Sequence, residues 1–79
     1  MFEYNICNQA DAELFRKQCS ALEKQVPGLQ PEEILEDVDG TMVQRYRHGL
    51  GVVTVKNDLQ VDALYVVSDF DLLPYFAKN

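Results

Sequence analysis

The stretch from residue 33 to residue 67 most constrains what this chain can become. There, short β-forming runs are cut at regular intervals by turn pairs. Asp39-Gly40 is a two-residue hairpin signal, His48-Gly49 can close a second tight turn, and Asn57-Asp58 a third. A strand is expected from about 33 to 38, followed by "TMVQRYRH", "LGVVTVK" and "QVDALYVV" as the rest of a meander. Pro31-Glu32-Glu33 also reads as the first turn of a helix, with proline and acids where a helix start tolerates them. The hairpin signal that follows favours a strand, and residues 31–36 read either way.

Outside the meander the pattern changes period. "FEYNI" alternates at period two and is expected to be a short strand. Asn8 is expected to cap a helix over about 9–25, with Asp11 as a weak capping box. Phe15, Cys19, Leu22 and Val26 recur at helical spacing, widened by Leu14 and by Ala12 or Ala21, and Pro27-Gly28 ends the run. Ser68 to Asp71 offer caps for a short final helix through "LLPYFAK". At 79 residues the chain is read as one domain, 1–79. The order β-α-β-β-β-β-α predicts an α+β fold. It has a mainly antiparallel sheet of about five strands, the long amphipathic helix on one face and a short C-terminal helix.

Charge narrows the function classes. The net charge is −6, and all of it lies in residues 1–40, where nine acids meet three bases; residues 41–79 carry four of each. Five acids, Glu32, Glu33, Glu36, Asp37 and Asp39, fall within eight positions without a base among them. A chain of this sign is a poor binder of nucleic acid, where cations must meet phosphates, and a better binder of a basic protein. The N-terminus lacks a basic start and a long apolar run, and no stretch approaches the ~18 apolar residues of a membrane helix, so a cytoplasmic protein without a membrane segment is expected. Cys7 and Cys19 fit no zinc spacing with the single His48, so two reduced thiols and no metal or cofactor are expected.

Asp37-Val38-Asp39-Gly40-Thr41 resembles the nucleophile loop of the haloacid dehalogenase superfamily of phosphatases. That loop follows a strand buried on both faces, where Glu33 and Glu36 would be costly. About 40 residues follow it here, too few for the superfamily's later motifs, and the hairpin turn already explains Asp-Gly. The resemblance stops at five residues. The second Asp-x-Asp, in "VVSDFDLL", reads as helix caps, and neither stretch has the ligand spacing of an EF-hand.

Arg45, Arg47 and His48 form the one basic stretch, a candidate anion site. A two-residue turn at Asp39-Gly40 would set Val38 opposite Thr41, Glu36 opposite Val43, Ile34 opposite Arg45 and Glu32 opposite Arg47. The arginines then have cross-strand or diagonal acids, and His48 is an exposed turn residue. The last two meander strands are apolar on both faces, and one helix covers only one. The segment "LLPYF", a second copy of the chain or another protein is expected to cover the other. Two readings follow. The first is a small acidic protein-interaction module of inhibitor, immunity-like or accessory type. In it Glu32, Glu33, Glu36, Asp37 and Asp39 steer a basic partner and Tyr46 anchors it. The second is a ligand-binding or enzymatic domain with a pocket between helix and sheet, completed by a homodimer.

Overall fold

The computed structural model describes residues 1–76. Its elements are β1 (Phe2–Cys7), α1 (Ala12–Gln25), β2 (Gln30–Pro31), β3 (Leu35–Glu36), β4 (Met42–His48), β5 (Gly51–Asp58), β6 (Ala63–Ser68) and α2 (Leu73–Phe76). The strands form one six-stranded sheet in the order β1-β6-β5-β4-β2, with β3 also pairing β4, and every pairing is antiparallel. The fold is α+β, as the periodicities predict.

Helix α1 starts later than expected, and its cap is Asp11 rather than Asn8. One Asp11 oxygen accepts the amides of Glu13 and Leu14 at 2.9 and 3.1 Å, satisfying donors that the first turn leaves free. Asn8 is engaged elsewhere, accepting from the Asn5 side chain at 2.6 Å. The amides of Ala10 and Asp11 donate to Asp62 and Asn57 at 2.9 and 2.8 Å, which ties the lead-in to the β5–β6 turn instead of to a helix.

The expected strand over 33–38 is two short pieces, β2 and β3. Pro31 pairs with Tyr46 and Leu35 with Val43, so one extra residue is accommodated on the edge between them, a bulge. Gln44 supports it, its side-chain amide donating to the carbonyls of Glu32 and Arg45 at 2.6 and 3.0 Å. The hairpin also takes three loop residues rather than two. Asp37 donates its amide to the Thr41 carbonyl and accepts from Gly40, whose φ of +92° is the left-handed position such a loop requires. Glu36 therefore faces Met42 instead of Val43, and Val38 stands fully exposed at the tip.

The third turn lies at 59–62, past Asn57 and Asp58, which end β5 and are buried. Their turn-forming chemistry acts through side chains: Asp58 accepts the amides of Gln60 and Val61, as Asn57 accepts that of Asp11. Between β4 and β5 the loop is Gly49-Leu50, with His48 paired to Gly51.

A single cluster of fully or nearly buried residues unites Phe15, Cys19, Leu22 and Val26 with Tyr46, Val53, Val55, Leu64, Val66 and Leu72. These sheet residues alternate along β4, β5 and β6, so they share one face. The C-terminal segment lies on that same face, not on the opposite one. Tyr4, cross-strand from Val66, accepts the Leu72 amide, donates to Asp71, both at 2.8 Å, and meets Phe76 edge-on at 5.1 Å. Pro74 sits in the first turn of α2, as expected; the end of the expected helix, at 77–78, lies outside the described residues. Cys7 and Cys19 are both free thiols.

Candidate functional site: the open face of the sheet

The core residues of β4, β5 and β6 leave their alternate neighbours on the other side. Val43, Arg45 and Arg47 of β4 face Lys56, Thr54 and Val52 of β5, and Thr54 and Lys56 face Val67 and Tyr65 of β6. Leu35 of β3 extends the row beyond Val43, and Glu3 and Asn5 of β1 close its far side. Among the described residues, neither α1 nor the segment 70–76 covers this face, since both contribute to the cluster on the other. Its valines and Tyr65 are half-buried, and Leu35 is 53% exposed.

One end of the face is acidic. A cleft of about 310 Å³ is lined there by Leu35, Val43 and Thr41, by the acidic residues Glu36, Asp37, Asp39 and Asp58, and by Lys56. Lys56 lies 3.5 Å from Oδ2 of Asp58, the same oxygen that accepts from the Tyr65 hydroxyl at 3.4 Å. Burial alone would raise the Asp58 carboxyl, but the Gln60 and Val61 amides and Lys56 outweigh it and hold it below the usual carboxylate range. Lys56 is held above its ordinary value, first by Tyr65 and then by Asp58, against a lowering by burial. A second hollow, lined by Glu3, Asn5, Val61, Ala63 and Tyr65, flanks Asp58 on its other side. The Lys56–Asp58–Tyr65 array has no sequence motif; only the alternation of β5 and β6 places the three together.

The other end is basic. Arg45 has no carboxylate within 4.0 Å among the described residues, whereas Arg47 lies 3.3 Å from Glu32 across an exposed contact. That ion pair was expected from the register, and it forms even though Glu32 does not lie directly opposite Arg47. His48 points to the core side. One ring nitrogen lies 3.0 Å from the Pro27 carbonyl, the other accepts the Leu50 amide at 3.0 Å, and the ring rests on Phe70 at 4.7 Å. It is therefore a half-buried, hydrogen-bonded residue, not an exposed turn residue. It shares a shallow edge cleft with Arg47, Gly28, Gln30 and Gly49, without Arg45 in the lining.

Of the predicted partner-binding residues, the structure gathers Glu36, Asp37 and Asp39 at the cleft and leaves Glu32 and Glu33 exposed along the edge. Tyr46 is corrected: it is fully buried and cannot anchor a partner. Its hydroxyl donates to Glu23 at 2.8 Å, and burial first, then Glu23 and Cys19, push its ionisation far above the ordinary value. The signal was in the sequence, because period two sets Tyr46 opposite Arg45 and Arg47. The space between α1 and the sheet, where a pocket was one expectation, is filled by Phe15, Leu22, Val26, Tyr46, Val53 and Val55.

Among the described residues no group of three or more His, Cys, Asp or Glu is arranged to hold a metal, and no helix is long and apolar enough to cross a membrane. No family model, curated protein or solved structure matches this chain.

Proposed function

We propose that this chain is a small acidic protein-interaction module that acts by surface binding, with the open face of the sheet as its contact surface. The observation that carries the reading is that Val43, Val52, Tyr65, Val67 and Leu35 lie on a face which neither helix covers. Apolar surface of this kind is stabilised by contact with another macromolecule. Glu36, Asp37 and Asp39 at the cleft would orient the partner's basic groups, since rim charges govern approach and register more than affinity. Lys56 adds little to the field there, being paired with Asp58.

Site-specific photo-crosslinking in cells tests the reading. A photoreactive residue replaces Thr54, in the middle of the open face, or Lys17, exposed on α1. A protein adduct is expected from position 54 and not from position 17. Adducts confined to position 17, or none at position 54, would overturn the open face as the binding surface.

A further inference from the structure

We infer that the occupant of the open face is a second copy of this chain, docked face to face about a twofold axis that lies in the interface and runs across the strands. The inference rests on the reading of that face as a binding surface and names its partner. It comes from how charge is laid out along β4. The strand runs from the acidic cleft, beside Met42 and Val43, to the basic end at Arg45 and Arg47. From Val43 to Arg47 is about 13 Å of strand. Within the chain the cleft's acids do not meet these arginines. Arg47 pairs only with Glu32, at 3.3 Å on the exposed edge, Arg45 has no acid, and Glu36, Asp37 and Asp39 have no Lys or Arg, within 4.0 Å among the described residues.

A twofold axis across the strands resolves this layout. It places β4 of one copy over β4 of the other, running the opposite way, so that each acidic end meets an arginine end and both contacts form at once. An axis along the strands keeps the two acidic ends at one level and carries β4 to the opposite side of the partner's sheet, so that neither acid–arginine contact forms; the charge layout selects the axis across the strands. The cleft at the acidic end, about 310 Å³ and open on this face, has room for an arginine side chain. Across the sheet, Thr54 and Val67 lie level with Arg45 and Val52 level with Arg47, while Val43 adjoins the acidic cleft, so uncharged side chains flank both charged ends. Four strands of six to eight residues and the β2–β3 edge give a face of about 20 by 24 Å. With the exposed Ile34–Val38 rim, it approaches the ~600 Å² or more per partner of a stable interface.

Charge exchange between two variants of the full chain tests this. One carries R45E and R47E, the other E36K, D37K and D39K; all five positions are exposed, and circular dichroism checks that both variants fold. By sedimentation velocity the natural chain is expected to run as a dimer of 9.0 kDa subunits. Each variant alone should dissociate at least about tenfold more readily, because like charges then meet at both contacts. An equimolar mixture of the two should recover the dimer, as a heterodimer. A monomeric natural chain, variants that dimerise like it, or a mixture that stays monomeric would each overturn the proposal. Crosslinking at position 54 separates this failure from that of the underlying reading. A covalent homodimer supports the second copy. An adduct with a different protein overturns the second copy and keeps the binding face, and no adduct overturns both.

Discussion

The hydroxyl of Tyr46 on β4 donates a 2.8 Å hydrogen bond to the carboxylate of Glu23 on α1, and lies 3.3 Å from the carbonyl of Cys19. This polar tie crosses the apolar interior between helix and sheet, and it fixes which turn of α1 sits over β4. A buried phenol without a partner would be costly; here it reaches the rim, where Glu23 is exposed.

Tyr46→Phe removes the tie and keeps the ring. Loss of about 1 kcal/mol is expected at neutral pH, read by urea denaturation. The pH dependence carries the sign. Burial and Glu23 keep the folded-state phenol protonated well above the ordinary tyrosine value of about 10. The folded chain thus holds a proton that the unfolded chain gives up. That contribution is complete below about pH 10 and declines as pH rises beyond it. Tyr46→Phe should flatten the alkaline decline without abolishing it, because burial raises Tyr4 as well. An unchanged alkaline slope in the variant would refute this account of Tyr46.

Leu72 is fully buried beyond the last strand, held beside Tyr4 by its own amide. Leu72→Ala should cost about 2–5 kcal/mol, as for other buried leucines. Val38→Ser, at the exposed hairpin tip, should stay within about 0.5 kcal/mol. Chemical denaturation of both variants tests whether the C-terminal segment belongs to the core. Equal small effects would mean that it does not.

The helix stripe at Phe15, Cys19, Leu22 and Val26, and the strands on either side of His48, were legible because periodicity reports burial directly. Register was not. Asp39-Gly40 fits a two-residue and a three-residue loop alike, and the choice rests on Asp37 closing a ring with Thr41 across Gly40. One residue of slip moved Val38 to the tip and Glu36 opposite Met42. Asn57-Asp58 misplaced the third turn for a related reason. Their side chains cap neighbouring amides from inside the strand, a role that composition alone cannot separate from forming the turn itself. The open face was foreseen as surplus apolar surface. Which side the C-terminal segment takes depends on Tyr4 meeting Leu72, a contact 68 residues apart that no local pattern encodes.

Gly51 opens β5 with φ of +144°, and a Cβ there would stand 2.5 Å from Cβ of Asp69, which bonds the neighbouring Val52 amide at 2.9 Å. Gly51→Ala should therefore cost at least about 1–3 kcal/mol through strain and displacement of Asp69. Gly49→Ala, two residues earlier with open space around it, should have a much smaller effect. Melting temperatures of the two variants decide this. A Gly51→Ala protein as stable as the natural one would show that the β4–β5 loop does not depend on Asp69.

Asp58 gives the fold an acid limit. Its carboxylate accepts the Gln60 and Val61 amides, lies beside Lys56 and receives the Tyr65 hydroxyl, at a residue only 9% exposed. Burial opposes its ionisation, yet these partners win and hold it below the usual range. The folded chain therefore releases this proton more readily than the unfolded one. The resulting stability is present above the ordinary carboxylate value of about 3.9 and is lost as pH falls through it and on to the depressed folded value. Asp58→Asn keeps an oxygen for the two amides but loses the charge that Lys56 and Tyr65 meet. A cost of about 1–3 kcal/mol is expected at pH 7. The difference between variant and natural protein should shrink below pH 4, where the natural carboxylate is itself protonated. Denaturation curves at pH 7 and pH 3 test this, and a gap that stays constant between them would mean that the shape of the side chain, not its charge, holds the β5–β6 turn.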